Sequence, residues 1–145
     1  MSLSRARLLS VALFVSAVLV LVIAHWLTPS PDGVGTHTQL GLEPCIMLSK
    51  MGLPCPMCGM TTTFSLMAHL RPVDALLNQP FGVILYIGTV LIAWIAALEI
   101  VFPKDRWQVI VDWSDGREVA LVVALSAIMF GSWVYKIALV TQKLS

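Results

Sequence analysis

Three cysteines are the residues of this chain with the most evident capacity for chemistry. Cys55 and Cys58 form a CxxC pair within the stretch CPMCGMTT, and Cys45 lies ten residues before Cys55. No further cysteine occurs among the 145 residues. Thiolates bind Zn²⁺ or Cu(I), pair as disulfides, or act as nucleophiles in thiol exchange. Because three is an odd number, a simple disulfide framework would leave one thiol unpaired.

Metal binding is one interpretation of these cysteines. A CxxC pair supplies two thiolates to a tetrahedral ion, and Cys45 would be a third ligand. A helix that begins at Cys58 would place Thr62, Ser65 and His69 near one face, so His69 is a candidate fourth ligand in a Cys3His set suited to Zn²⁺. On such a helix about 16 Å separates Cys58 from His69, so His69 would reach the ion only if the chain reverses.

Methionines in the same segment raise copper as an alternative to zinc. Soft thiolate and thioether ligands suit Cu(I). Methionine is also common apolar filler in irregular packed regions, and this is the simpler interpretation. The residues concerned are Met47, Met51, Met57, Met60 and Met67.

Redox chemistry and a structural disulfide or packed thiol are the other two interpretations. A helix that begins near Thr61 would place CPMC at its N-terminus, where amide groups and the helix dipole lower the pKa of a nearby cysteine. Soluble thioredoxin-like enzymes place CxxC in a β/α setting, and the sequence shows no such pattern. In an oxidising compartment Cys55 and Cys58, or Cys45 with either, would instead form a disulfide. The sequence leaves these alternatives open.

The composition is that of a membrane protein. Hydrophobic residues make up 58% of the chain and charged residues only 12%, against a charged share of about 25% in soluble domains. The formal net charge is +1, so nothing indicates a nucleic-acid partner. The lipid bilayer is the expected surrounding.

Three apolar stretches are long enough to cross a bilayer as helices. They are predicted at residues 8–27, 81–102 and 119–139, since about 20 residues span the hydrocarbon core. A cleaved signal peptide is the alternative for the first, with a weak small-residue site at Val22-Ile23-Ala24. Small residues recur on one face of each later helix and would pack on each other or on a partner chain. They are Thr89, Ala93 and Ala97, and then Ala120, Ala124, Ala127 and Gly131.

The distribution of basic residues predicts an orientation. Residues 1–7 and 103–118 carry most of the Lys and Arg, so these two segments are expected on the cytoplasmic side of a bacterial inner membrane. Residues 28–80, with the cysteines, and the tail 140–145 are then expected outside. The basic residues that set this orientation are Arg5, Arg7, Lys104, Arg106 and Arg117.

The outer segment is expected to contain a loop and two short helices. Residues 28–44 are rich in Pro, Gly and Thr, which is typical of a loop. A helix from about Thr61 to Arg71 would be about 15 Å long, too short to span, so it would lie in the interface or enter the bilayer as a re-entrant piece. A second helix is predicted from Pro72 to about Asn78, because proline is favoured in a first helical turn.

The remaining histidines and one acidic residue have simple expected roles. His25, beside Trp26, is expected to lie at the membrane interface, and His37 in a flexible polar loop. Glu99 lies within an apolar stretch near Pro103 and is expected to reach the cytoplasmic interface.

Residues 45–80 contain a recognisable set of motif residues. The set comprises Cys45, the stretch GLPCPMCGMT at 52–61, Ala75 and Pro80. It resembles a family of small bacterial membrane proteins catalogued as domain of unknown function 2752 (DUF2752), whose mark is CPxCG(M/L)T, followed by an Ala and an Asn-Pro pair. The resemblance covers about residues 41–100. It implies that CPMCGMT is the functional feature, with motif support from Pro56, Gly59 and Thr61, and it implies no activity.

Two residues depart from the family pattern. Thr62 occupies a position where many members have Arg, and Gln79 the position of the Asn in the Asn-Pro pair. If that Arg or Asn contributes to a site in the family, this chain lacks the contribution.

The expected fold is an all-α integral membrane protein with three transmembrane helices and short helices that carry the CPxCG motif. The first predicted function is an outward-facing cysteine site, either metal-binding or thiol/disulfide. The alternatives are a non-catalytic accessory subunit of a larger membrane complex and a membrane thiol oxidoreductase or its helper. No Ser-His-Asp set, phosphate loop or intramembrane carboxylate pair is visible, which argues against a hydrolase, an ATPase or a proton-driven pump.

Overall fold

The fold is all-helical in a computed structural model that describes residues 3–104 and 106–144. These residues contain seven α-helices, one 3₁₀ helix and no strand. Met1, Ser2, Asp105 and Ser145 lie outside the described residues. The side chain of Arg5, one of the basic residues used to predict the orientation, also lies outside them. In order, the elements are α1 (Leu3–Trp26), the 3₁₀ helix (Thr36–Leu40), α2 (Ile46–Met51), α3 (Met60–Ala68), α4 (Pro72–Asn78), α5 (Pro80–Val101), α6 (Arg106–Ser114) and α7 (Glu118–Leu144).

Three of these helices are long and apolar enough to cross a membrane. The qualifying stretches are Ala6–Trp26, Pro80–Val101 and Glu118–Thr141, with 21, 22 and 24 residues. At 1.5 Å per residue each exceeds the hydrocarbon thickness of about 30 Å. This confirms the expected fold class of a three-helix membrane protein.

Small side chains allow α1 and α5 to pack closely along each other. Ala17 and Ala24 of α1 and Ala93 and Ala96 of α5 are buried, which is typical of helix contacts in membranes. The small stripe of α7 behaves differently, since all four of its residues are exposed. The two stripes therefore do not pack on each other within the chain.

Polar contacts close the end of the bundle where α5 stops and α6 begins. Glu99 is buried, and its carboxylate accepts hydrogen bonds from the Arg106 guanidinium at 3.1 Å and the Lys104 backbone N–H at 3.0 Å. Trp107 of α6 donates to the Ser10 hydroxyl of α1 at 2.8 Å. Glu99 therefore holds the turn into α6, and its place at the cytoplasmic interface stays a prediction. The stretch 103–118, which the sequence predicts as a cytoplasmic loop, contains helix α6.

The segment between α1 and α5 forms a helical platform over the opposite end of the bundle. Helix α3 packs on α1, α4 and α5, and its Ser65 hydroxyl donates to the Leu27 carbonyl just past α1. Gly82 of α5 lets α3 approach, because an added Cβ there would lie 2.9 Å from Thr63 Cγ2. The structure confirms the two predicted short helices as α3 and α4, and adds the 3₁₀ helix and α2 in a stretch that the sequence did not assign to helices.

Candidate metal centre

The three cysteines converge at one point of the platform. Their sulfur atoms all lie within 4.8 Å of one another. Cys45 immediately precedes α2, while Cys55 and Cys58 lie in the turn before α3. Cys58 is buried, Cys45 and Cys55 are half-buried, and all three are free thiols with no disulfide between them. The chain thus brings together the whole set of cysteines that the sequence singled out.

A tight turn aims both sulfurs of the CxxC pair toward Cys45. The Cys58 backbone N–H donates to the Cys55 carbonyl at 2.9 Å, which closes the turn, and Met60 N–H donates to the Met57 carbonyl at 3.1 Å. Gly59 then adopts φ +87°, a left-handed conformation that favours glycine. Its carbonyl accepts the Thr63 N–H at 2.8 Å and so begins α3.

Two transmembrane helices hold the backbone on either side of Cys55. Trp133 of α7 donates from Nε1 to the Pro54 carbonyl at 2.8 Å. Gln79, at the start of α5, donates from Nε2 to the Pro56 carbonyl at 3.0 Å. Because proline has no N–H, each carbonyl is the proline's whole backbone hydrogen-bonding capacity. Gln79, which replaces the Asn of the family pattern, therefore contacts the cysteine motif directly through its side-chain amide.

A buried polar network lies behind Gly59. Lys136 of α7 is 3% exposed, and its ammonium donates to Asn78 Oδ1 at 2.6 Å and to the Gly33 carbonyl at 3.0 Å. Asn78 in turn donates to the Gly59 carbonyl at 3.1 Å and to Thr63 Oγ1 at 2.9 Å. A charged side chain at this depth is stable only when it is hydrogen-bonded in this way. Lys136 therefore connects α7 to the motif glycine through Asn78.

The threonines after the motif glycine connect α3 to the 3₁₀ helix. Thr62 is fully buried, and its hydroxyl lies 2.8 Å from the Thr36 hydroxyl. Thr61 is half-buried and lines a cavity of about 310 Å³ together with the three cysteines. An arginine side chain at position 62 would not fit in this buried contact. The threonine that stands there in place of the family's arginine is small enough to pack against Thr36.

The three thiols are electrostatically unequal. A hydrogen bond from the Leu48 backbone N–H lowers the pKa of Cys45 from 9.0 to about 7, with smaller contributions from the other two thiols. Burial raises the pKa of Cys58 from 9.0 to about 12, and the neighbouring sulfurs add to this. The expected lowering at the N-terminus of α3 is thus outweighed at Cys58 by burial. Cys45, outside the CxxC pair, has the lowered pKa.

The structure places His69 away from the cysteine cluster. His69 caps the far end of α3, its Nδ1 lies 2.8 Å from the Ser65 carbonyl, and its ring stacks on His25 with centroids 5.1 Å apart. Among the described residues the metal-capable cluster contains only the three cysteines. The candidate fourth ligand from the helical spacing is therefore not brought to the sulfurs.

His37, which was predicted to lie in a flexible loop, lines the same cavity as the cysteines. His37 belongs to the 3₁₀ helix and lines the 310 Å³ cavity with Cys45, Cys55 and Cys58. The only signal in the sequence was its position as the sole histidine between α1 and Cys45. A spacing of eight residues between His37 and Cys45 has no periodic meaning, so sequence reasoning passed over it.

The segment that carries the cysteines is similar to a known protein family. Residues 45–94 match the DUF2752 family, described as a protein of unknown function. The match begins at Cys45 and includes the CxxC turn, α3, α4 and α5 as far as Trp94. The resemblance inferred from the motif is thereby confirmed. No curated protein and no solved structure matches the chain.

Proposed function

We propose that this membrane protein binds one metal ion through the thiolates of Cys45, Cys55 and Cys58. The observation that carries the proposal is the mutual approach of the three sulfurs to within 4.8 Å. Around a tetrahedral ion with metal–sulfur bonds of about 2.3 Å, the sulfurs lie about 3.8 Å apart. The free thiols therefore need to move together by an ångström or less.

The donor set and its support fit a soft or borderline metal ion. Three thiolates suit Zn²⁺ and Cu(I) and disfavour hard cations such as Mg²⁺. The backbone carbonyls of the residues before and after Cys55 accept hydrogen bonds from the start of α5 and from α7. These bonds hold the backbone of Cys55 in place. Burial chiefly, and the neighbouring sulfurs in addition, raise the pKa of Cys58, and a cation between the sulfurs would offset both effects by favouring the thiolate.

Metal analysis of the purified protein tests the proposal. The wild type in detergent is expected to contain about one equivalent of Zn or Cu, and Cys55→Ser to lose it, because two thiolates hold the ion less tightly than three. Absence of bound metal in the wild type, even after incubation with Zn²⁺ or Cu(I), would overturn the proposal.

A methionine pair tests whether a copper site at the cysteines uses a thioether ligand. Met57 lines the cavity beside the sulfurs, whereas Met51 is similarly exposed but is not among the residues that line it. If the protein holds Cu(I) with a thioether ligand, Met57→Leu weakens binding and Met51→Leu does not. If the metal is Zn²⁺, both variants bind as the wild type does.

Thiol exchange is a second candidate, favoured by the lowered pKa of Cys45. In that function Cys45 and a neighbouring cysteine would form a disulfide while a disulfide of a partner protein is reduced to two thiols. Alkylation with and without reductant tests it. If all three cysteines are alkylated without reductant, and glutathione disulfide does not oxidise any pair, the redox function is excluded.

We further propose that the site faces outward from a bacterial inner membrane. The support is the distribution of Lys and Arg, which favours α6 on the cytoplasmic side. The cysteine platform lies at the end of the bundle opposite α6. An accessory role in a larger complex is supported by the exposed small-residue face of α7, to which a partner helix could pack closely.

A further inference from the structure

We infer that His37 is the fourth ligand of the metal, bound through Nδ1, so that the centre is Cys3His. This inference rests on the proposed metal function and extends it. A fourth protein ligand would leave no position for water or substrate and would make the site structural, because catalytic zinc keeps one position open.

The first observation is the position of His37 around the site. His37 lines the cavity of about 310 Å³ that all three cysteines line. It also lines a second cavity of about 150 Å³ together with Cys45 and Cys58. His37 therefore borders the space next to the sulfurs from the side of the 3₁₀ helix.

The second observation is the hydrogen bond that fixes the tautomer of His37. Its Nε2 lies 3.1 Å from the Glu43 carbonyl oxygen. A carbonyl can only accept, so Nε2 carries the proton and the neutral ring presents the lone pair of Nδ1. Histidines that bind metals commonly donate their other N–H to a backbone carbonyl in this way, which orients the ring and raises its basicity.

The third observation is the mechanical connection between His37 and the cysteines. Thr36, adjacent to His37, bonds through its hydroxyl to Thr62 of α3, and Glu43 lies two residues before Cys45. The ring is thus linked to both cysteine-bearing segments at once. The other two histidines lack this position, since they stack on each other at the far end of α3.

Binding requires the 3₁₀ helix to move toward the cysteines. His37 is not part of the group of atoms that lie within 4.8 Å of one another, so its nitrogen must approach the sulfurs. Glycines flank the helix on both sides, Gly35 with φ +83° and Gly41 with φ +76°. Both are surrounded by open space, and glycine permits the backbone rotation that a hinge needs.

Metal affinity of matched histidine variants tests the inference. Full-length wild type, His37→Ala and His69→Ala are titrated with Zn²⁺ against a chromophoric chelator in detergent. We expect His37→Ala to bind at least about 10–100-fold more weakly, a loss no smaller than that for removal of a supporting residue. His69→Ala is expected to match the wild type. Equal affinity of the wild type and His37→Ala, or a loss confined to His69→Ala, would overturn the inference and leave the three-cysteine site intact.

A measurement on the wild type alone keeps the inference testable if His37→Ala does not fold. Diethyl pyrocarbonate modifies unprotonated imidazoles, and the modified histidines are identified by mass spectrometry. Zn²⁺ is expected to protect His37 and to leave the exposed His25 and His69 as reactive as before. Unchanged modification of His37 in zinc-loaded protein would overturn the inference. If the wild type binds no metal, the proposed function fails as well.

Discussion

At the scale of single residues, Gly59 has two separate reasons to be glycine. Its φ of +87° strains any residue with a Cβ, and an added Cβ would lie 2.7 Å from the Gly33 carbonyl and 3.1 Å from the Lys136 ammonium. The motif glycine therefore permits both the turn after Cys58 and the polar network behind it.

Gly59→Ala is expected to destabilise the protein more than an equivalent change elsewhere. A non-glycine residue in the left-handed region costs on the order of 1–3 kcal/mol, and the displaced carbonyl adds to this. Gly116→Ala is the matched control, because Gly116 has φ +73° but open space around it. Thermal unfolding in detergent measures both variants. Equal losses would show that the contacts behind Gly59 contribute nothing.

The unequal thiols predict a pH-dependent pattern of alkylation in metal-free protein. A lowered pKa makes the reactive thiolate available at lower pH, so the rate for Cys45 should rise through about pH 7, where its pKa lies. Cys58, with a pKa of about 12, stays a thiol through neutral pH and is buried, so it should react slowly. Mass spectrometry after short exposure to iodoacetamide measures this. Faster alkylation of Cys58 than of Cys45 at neutral pH would contradict it.

At the scale of elements, the transmembrane helices position the site through side chains that the sequence could not assign. The spans themselves were predictable, because a bilayer fixes the length of an apolar helix. The short helices α3 and α4 were predictable from the threonine run and from Pro72. The bonds from Trp133 to the Pro54 carbonyl and from Lys136 to the Gly33 carbonyl were not, since they join positions 79 and 103 residues apart. The position of His37 was missed for a different reason, because its spacing of eight residues from Cys45 has no periodic meaning.

Trp133→Phe tests the contribution of α7 to the cysteine turn. The change keeps an aromatic ring but removes the donor to the buried Pro54 carbonyl, which is expected to cost about 1–3 kcal/mol in unfolding free energy. Trp94→Phe in α5 is the control, because Trp94 is 67% exposed. Unfolding of both variants is followed by circular dichroism in detergent. A loss of stability as large in Trp94→Phe would contradict a specific role for Trp133.

At the scale of the whole molecule, the bundle has two chemically different ends. One end carries the cysteine platform, and the other carries the Glu99–Arg106 pair and the contact between α6 and α1. The predicted orientation can therefore be tested, because a reagent that cannot cross the membrane reaches only one end of the bundle. The contact of α7 with a partner chain stays a prediction.

Labelling of intact cells tests this orientation. After removal of metal with an impermeant chelator, a membrane-impermeant maleimide is expected to label Cys45 from outside. Asp112→Cys in α6, made in a protein whose three native cysteines are serine, is expected to react only after permeabilisation. The reverse pattern would place the cysteines on the cytoplasmic side.

X-ray absorption at the edge of the bound metal is the most direct test of whether Cys45, Cys55 and Cys58 bind one metal ion together. We expect one ion per protein with three sulfur ligands at about 2.3 Å in the wild type, and two sulfur ligands in Cys45→Ser once this weaker site has been loaded with excess metal. A first shell made only of oxygen and nitrogen, or a sulfur count unchanged in Cys45→Ser, would contradict it.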